Sequence, residues 1–141
     1  MSWENIVEHF RGRGASIDEV REIEPRSLTE REAGWIHDIL RVNEAWREAD
    51  ISKTQVVAEG PCDEGVSIRL RALEPENPKA KPVESVGELW IQTDDGSSIN
   101  VQLSQFEGRL RELYVLFFDP KQRNRKLPET WTEVSREAAS V

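Results

Sequence analysis

The sequence predicts an α+β domain in which N-terminal helices pack on one face of an antiparallel β-meander of about five strands. Two observations carry this. Apolar residues recur at helical spacing up to about residue 50 and at every second position beyond it, and turn residues punctuate the second half between its apolar runs. The 141 residues suit a single domain, with a helical part at about 1–50, a sheet part at about 54–118 and a C-terminal segment at 119–141.

The helical elements follow from spacing and caps. Trp3, Ile6, Val7 and Phe10 fall on one helical face, with Ser2 available as N-cap, and Gly12 and Gly14 end that run. So short a helix needs a surface to dock on. Thr29 and Glu32, three apart, form a capping box that starts the next helix, whose Ala33, Ile36, Ile39 and Leu40 make an apolar stripe. Asn43 offers a second cap before Trp46, so residues 30–49 read as one helix or two.

Strands follow from alternation. Gln55–Glu59 is the first, and Val66, Ile68, Leu70 and Ala72 alternate with Ser67, Arg69 and Arg71 in the second, with Gly60–Gly65 as the loop between. Three prolines make Glu74–Pro82 a loop, and a third strand runs from Val86 to Thr93. Side-chain parity then fixes the next hairpin. A two-residue turn of Asp95 and Gly96 would set Ile91 against Asn100, whereas a three-residue turn of Asp94, Asp95 and Gly96 sets Ile91 against Ile99 and Leu89 against Val101. The second register keeps every apolar side chain on one face and requires a positive φ at Gly96. A fifth strand, Arg109–Phe118, is apolar on both faces from Leu113 onward, as a central strand is. Pro128–Ala139 reads as a last short helix anchored by Trp131 and Val134.

Charge and motifs restrict function by exclusion. The formal net charge is −8, and residues 1–65 hold 15 acidic against 8 basic side chains, while residues 66–141 hold 12 against 11. Such a surface argues against free nucleic acid as a partner and suits a basic one. Cys62 is the sole cysteine, with Asp63 and Glu64 beside it disfavouring a thiolate. His9 and His37 form no metal-binding pair, and Asp94-Asp95-Gly96 lacks the alternating carboxylates of a calcium loop. No phosphate-cradling loop, nucleophile elbow or dinucleotide fingerprint occurs, so no catalytic residue, metal or cofactor is expected. Lys121, Arg123, Arg125 and Lys126 read as a solvated basic connector. Glu4 and Glu8 stand where a signal peptide carries basic residues, and no long apolar run exists; a cytoplasmic chain with no membrane association is expected.

The same hairpin register points to a surface. Opposite the apolar face it pairs Trp90 with Asn100, Glu88 with Gln102 and Gln92 with Ser98, giving one large aromatic in a polar carpet that Arg69 and Arg71 extend. Glu88, Trp90, Gln92, Asn100, Gln102, Arg69 and Arg71 are therefore the candidate binding residues. The competing expectation is that the N-terminal helix or the C-terminal segment covers Trp90.

Two stretches, Leu28–Leu40 and Thr54–Leu70, the latter with the order Val56-Val57-x-x-Gly60-x-Cys62-x-x-Gly65-x-Ser67-Ile68, resemble a small bacterial domain family of unknown function. Members of that family carry several cysteines where this chain keeps Cys62, so the resemblance implies no metal here and no activity. The leading functional expectation is a non-enzymatic protein-binding domain, such as an immunity- or antitoxin-like inhibitor of a basic partner. The alternative is a small-molecule-binding domain or enzyme with a pocket between helices and sheet, walled by Trp90 or Trp46. A homotypic interaction domain is the third.

Overall fold

The computed structural model describes residues 19–119 and 126–139. Along them run β1 (Arg21–Ser27), α1 (Glu30–Arg41), β2 (Thr54–Cys62), β3 (Gly65–Ala72), β4 (Ser85–Gln92), β5 (Ser98–Phe106), β6 (Arg109–Phe117) and β7 (Thr132–Ala138). The seven strands form one sheet in the order β1-β2-β3-β6-β5-β4-β7, antiparallel at every pairing. Strands β4, β5 and β6 meander, and β7 returns beside β4, which makes a Greek key.

This corrects the expected fold class. N-terminal helices on a five-stranded meander are replaced by a predominantly β architecture with a single helix among the described residues. The two unforeseen strands, β1 and β7, are the two edges of the sheet. Arg21–Ser27 contains Pro25 and four charged residues, and its ladder with β2 is irregular between Glu22 and Arg26; an edge tolerates both. Thr132–Ala138, expected to be helical, instead pairs with β4, with Val134 as the extra residue where the register shifts. The i, i+3 spacing of Trp131 and Val134 therefore signals no helix. Trp131 packs on Trp35 at 5.2 Å between ring centroids, while Val134 points to solvent. The helix expected over Trp3–Phe10 lies outside the described residues.

The expected capping box is present: Thr29 Oγ1 accepts from the Glu32 backbone N–H at 3.1 Å, and Glu32 Oε1 accepts from the Thr29 N–H at 2.9 Å. One helix results, not two. It ends at Arg41, after which Asn43 accepts from the Ala45 N–H and organises a run of turns through Arg47 and Glu48. The buried side chains of α1, Trp35, Ile36, Ile39 and Leu40, lie over β4, β5 and β7, and Trp46 and Ile51 from the following segment join the same core.

The hairpin between β4 and β5 has the three-residue turn, with Leu89 opposite Val101, Ile91 opposite Ile99 and Gly96 at φ 86°. Strand β6 is the middle of the seven, flanked by β3 and β5, as its two-sided apolar run requires. The loop expected at Gly60–Gly65 shrinks to a tight turn at Asp63 and Glu64, because β2 continues to Cys62 and β3 restarts at Gly65. Glu74–Pro82 is a loop as expected, pinned to the β5–β6 turn by the Asn77 N–H donating to the Gly108 carbonyl at 2.8 Å.

Candidate functional site: the open face of the sheet

Alternation sends Leu89, Ile91, Ile99, Val101, Leu113 and Val115 into the core beneath α1, where all are essentially inaccessible. Their neighbours therefore face the other way. Among the described residues no helix covers that face, which is open in this sense, and two rows cross it: Trp90, Asn100 and Leu116 lie in register on β4, β5 and β6, and Glu88, Gln102, Tyr114 and Ser67 do so on β4, β5, β6 and β3.

Trp90 stacks on Phe118 at 5.2 Å between centroids and 29° between planes. Phe118 follows β6 and Trp90 sits on β4, so the stack reaches across β5. Asn100, on β5 between them, is 1 % exposed. Its polar atoms are satisfied within the face: Nδ2 donates to Glu88 Oε2 at 2.6 Å, and Oδ1 accepts from Gln102 Nε2 at 2.7 Å. The result is a pair of stacked rings on a fixed polar base, rimmed by exposed Gln92, Ser98 and Gln102. Half of Phe118, 54 %, remains exposed.

The structure brings Glu88, Trp90, Gln92, Asn100 and Gln102 together, as the register argument expects. Arg69 and Arg71 share the face but stand apart from that group, because β6 and β5 intervene. Arg69 lies opposite Glu112, and Arg71 donates to Gln55 Oε1 at 3.1 Å, so both arginines extend the surface away from the aromatic pair. Sequence reasoning misses Phe118, Tyr114 and the β7 residues Ser135 and Glu137, which lie in register with Trp90 and Glu88. The two-sided apolar run of Leu113–Phe118 is the signal for the first two; nothing in the sequence indicates the placement of β7.

Tyr114 shows how the face is levelled. Its hydroxyl donates to the Cys62 carbonyl at 2.8 Å, which lays the ring along Gly65; a Cβ there would come within 3.0 Å of the ring and 2.1 Å of the Val115 carbonyl oxygen. Ser67 Oγ donates to Glu112 on the same surface.

Elsewhere, charges serve the fold. Glu32, 1 % exposed, receives two hydrogen bonds from Arg26, which also bridges to Glu59 on β2 at 3.0 Å. Burial works to raise the Glu32 pKa, but the bonds from Arg26 and Thr29 prevail and hold it below the usual carboxylate range. Glu32 and, after it, Glu59 in turn raise the Arg26 pKa, against the opposing effect of burial.

Between α1 and the sheet, Trp35, Ile36, Ile39 and Leu40 pack with the buried strand side chains as one apolar core. A cleft of about 440 Å³ does lie at the margin, between the segment around Trp46 and the loop from Glu74 to Lys79. Of the carboxylates along it, Glu74 is committed to structure: it accepts from the Thr54 hydroxyl at 2.9 Å and from the Lys53 N–H. Among the described residues no three His, Cys, Asp or Glu side chains are grouped to hold a metal ion, and no helix is long and apolar enough to cross a membrane. No family model matches the chain, and no curated protein or solved structure matches it either.

Proposed function

We propose that the protein is a non-enzymatic protein-binding domain that receives its partner on the open face, with the Trp90–Phe118 stack as anchor. One observation supports this above others: two large rings are held rigidly on a polar sheet surface, the Asn100–Glu88–Gln102 hydrogen bonds fixing the base beneath them. A preorganised aromatic anchor inside a polar rim is how interfaces concentrate binding energy at low entropic cost. The net charge of −8 favours a basic partner, and an inhibitor of the immunity or antitoxin type is the corresponding role.

Capture from native lysate at low and moderate salt tests the reading. The expected result is a basic protein retained by the native chain and lost from a Trp90→Ala/Phe118→Ala double variant that remains folded. Retention of no basic protein, or equal retention by the double variant, overturns it.

A further inference from the structure

The rim of the aromatic stack carries an unbalanced charge on its β7 side. In the β4–β7 ladder Glu88 lies directly opposite Glu137, two residues along from the pair of Trp90 and Ser135. Directly opposed residues of an antiparallel ladder point to one face with their Cβ atoms roughly 5 Å apart, and like charges so placed disfavour the pairing. Both carboxylates therefore stand beside Trp90 on the open face. Phe118 approaches Trp90 from the β6 side, and Glu137 stands on the opposite side. Trp90 and Glu88 are half-buried, and Glu137 is exposed.

Among the described residues no cation offsets the pair, since neither glutamate takes part in an ion pair. Arg136, adjacent to Glu137 in sequence, alternates to the helix side, where it lies 3.6 Å from the Asp38 carboxylate and donates to Glu133. Arg69 and Arg71 stand on β3, with β6 and β5 between them and β4. One of the two carboxylates is also fixed in direction, because Glu88 Oε2 accepts from Nδ2 of the buried Asn100. The sheet thus holds two opposed negative charges at the edge of an indole ring.

A guanidinium matches this arrangement better than an ammonium does. It is planar, stacks on an aromatic face, and presents N–H donors in a fork that carboxylates accept, whereas an ammonium is a strongly hydrated point charge. We propose that the partner presents an arginine-bearing segment to the β4–β7 rim, with a guanidinium lying against Trp90 and donating to Glu88 and Glu137. This rests on the reading of the open face as a protein-binding surface and names the chemistry that the face selects. Binding relieves the repulsion between the two carboxylates, so the same contact gains both a new attraction and the loss of an old penalty.

The test titrates the full chain with octa-arginine and octa-lysine peptides by calorimetry at physiological salt, where distant charges are screened beyond about 8 Å. Glu88→Gln with Glu137→Gln removes both charges and keeps an amide oxygen for Asn100 to donate to. Glu22→Gln with Glu24→Gln, at exposed positions on the far edge strand β1, removes the same charge and is the control. Octa-arginine should bind the first double variant about tenfold more weakly than the native chain and the control within about twofold of it. Glu137→Gln alone, at its exposed position, should already weaken binding about threefold, which keeps the comparison valid if the double variant is unstable. The native chain should bind octa-lysine about fivefold more weakly than octa-arginine. Equal losses in the two double variants overturn the proposal, because the overall charge of the chain then accounts for binding. Equal affinity for the two peptides, or no binding of octa-arginine, also overturns it. Lysate capture reads the Trp90–Phe118 anchor whatever side chain the partner offers, so a protein captured through the rings while both double variants bind octa-arginine alike refutes this inference and leaves the protein-binding reading intact.

Discussion

Arg26 grips Glu32 through a paired set of hydrogen bonds, Nη1 to Oε1 at 2.9 Å and Nη2 to Oε2 at 2.8 Å, and so ties the edge strand β1 to the first turn of α1. The carboxylate is buried while the guanidinium is partly open to solvent, with 2 % and 31 % of the side chains exposed. The two ends of the pair therefore fail differently. Arg26→Met leaves a buried charge without its main partner and is expected to cost about 3 kcal/mol; Glu32→Gln removes the charge itself and is expected to cost less, about 2 kcal/mol. Urea unfolding of both variants checks the order, and an Arg26→Met chain no less stable than Glu32→Gln contradicts it.

The same pair sets a pH dependence. Because the folded-state pKa of Glu32 is lowered, its contribution to stability is fully present above the unfolded carboxylate pKa. That contribution is lost as the pH falls through the folded value. Unfolding free energy should therefore decline on acidification below the ordinary carboxylate range, and decline less steeply in Glu32→Gln. Parallel declines in the two chains would show that other carboxylates govern the acid limb.

Two glycines should respond in opposite directions to alanine. Gly34 lies within α1, and a Cβ there meets nothing within 4 Å, so Gly34→Ala should stabilise by about 0.5–1 kcal/mol through helix propensity. Gly65 lies against the Val115 carbonyl and the Tyr114 ring, and backbone cannot yield as a flexible side chain does. Gly65→Ala should cost on the order of 3 kcal/mol. Thermal melts of the pair settle the matter; a rise in melting temperature for Gly65→Ala would show that the β6 backbone at Val115 can draw back from Gly65.

The aromatic stack should register as a coupling. A double-mutant cycle of Trp90→Ala and Phe118→Ala is expected to give an interaction of roughly 0.5–1.5 kcal/mol in unfolding free energy. Additive losses would mean that the rings contribute only by separate burial, and would remove the preorganisation on which the binding proposal leans.

How much of this the sequence reveals depends on whether side chains or backbone decide an element. Thr29 and Glu32 declare the helix start by their own chemistry. Ile91, Ile99, Leu89 and Val101 declare a register because a one-residue slip would turn each of them to the wrong face. That parity also gathers Trp90, Glu88, Asn100 and Gln102 before any coordinate is known. Strands β1 and β7 give no such signal. Glu22, Glu24, Glu133 and Glu137 are all solvent-facing, so neither edge carries an apolar alternation, and what makes them strands is pairing with a neighbour. Phe118 escapes for a related reason: its approach to Trp90 spans two strand boundaries, which sequence spacing does not encode.

The strand order leaves the molecule no separable halves. The helix comes from the first part of the chain, yet it roofs β4, β5 and β7 of the second, while β3 and β6 stitch the two parts together along one ladder. Each half supplies what the other lacks, a lid in one direction and a central strand in the other. Heating should accordingly melt sheet and helix in one concerted transition, with tryptophan emission and far-ultraviolet dichroism following the same curve.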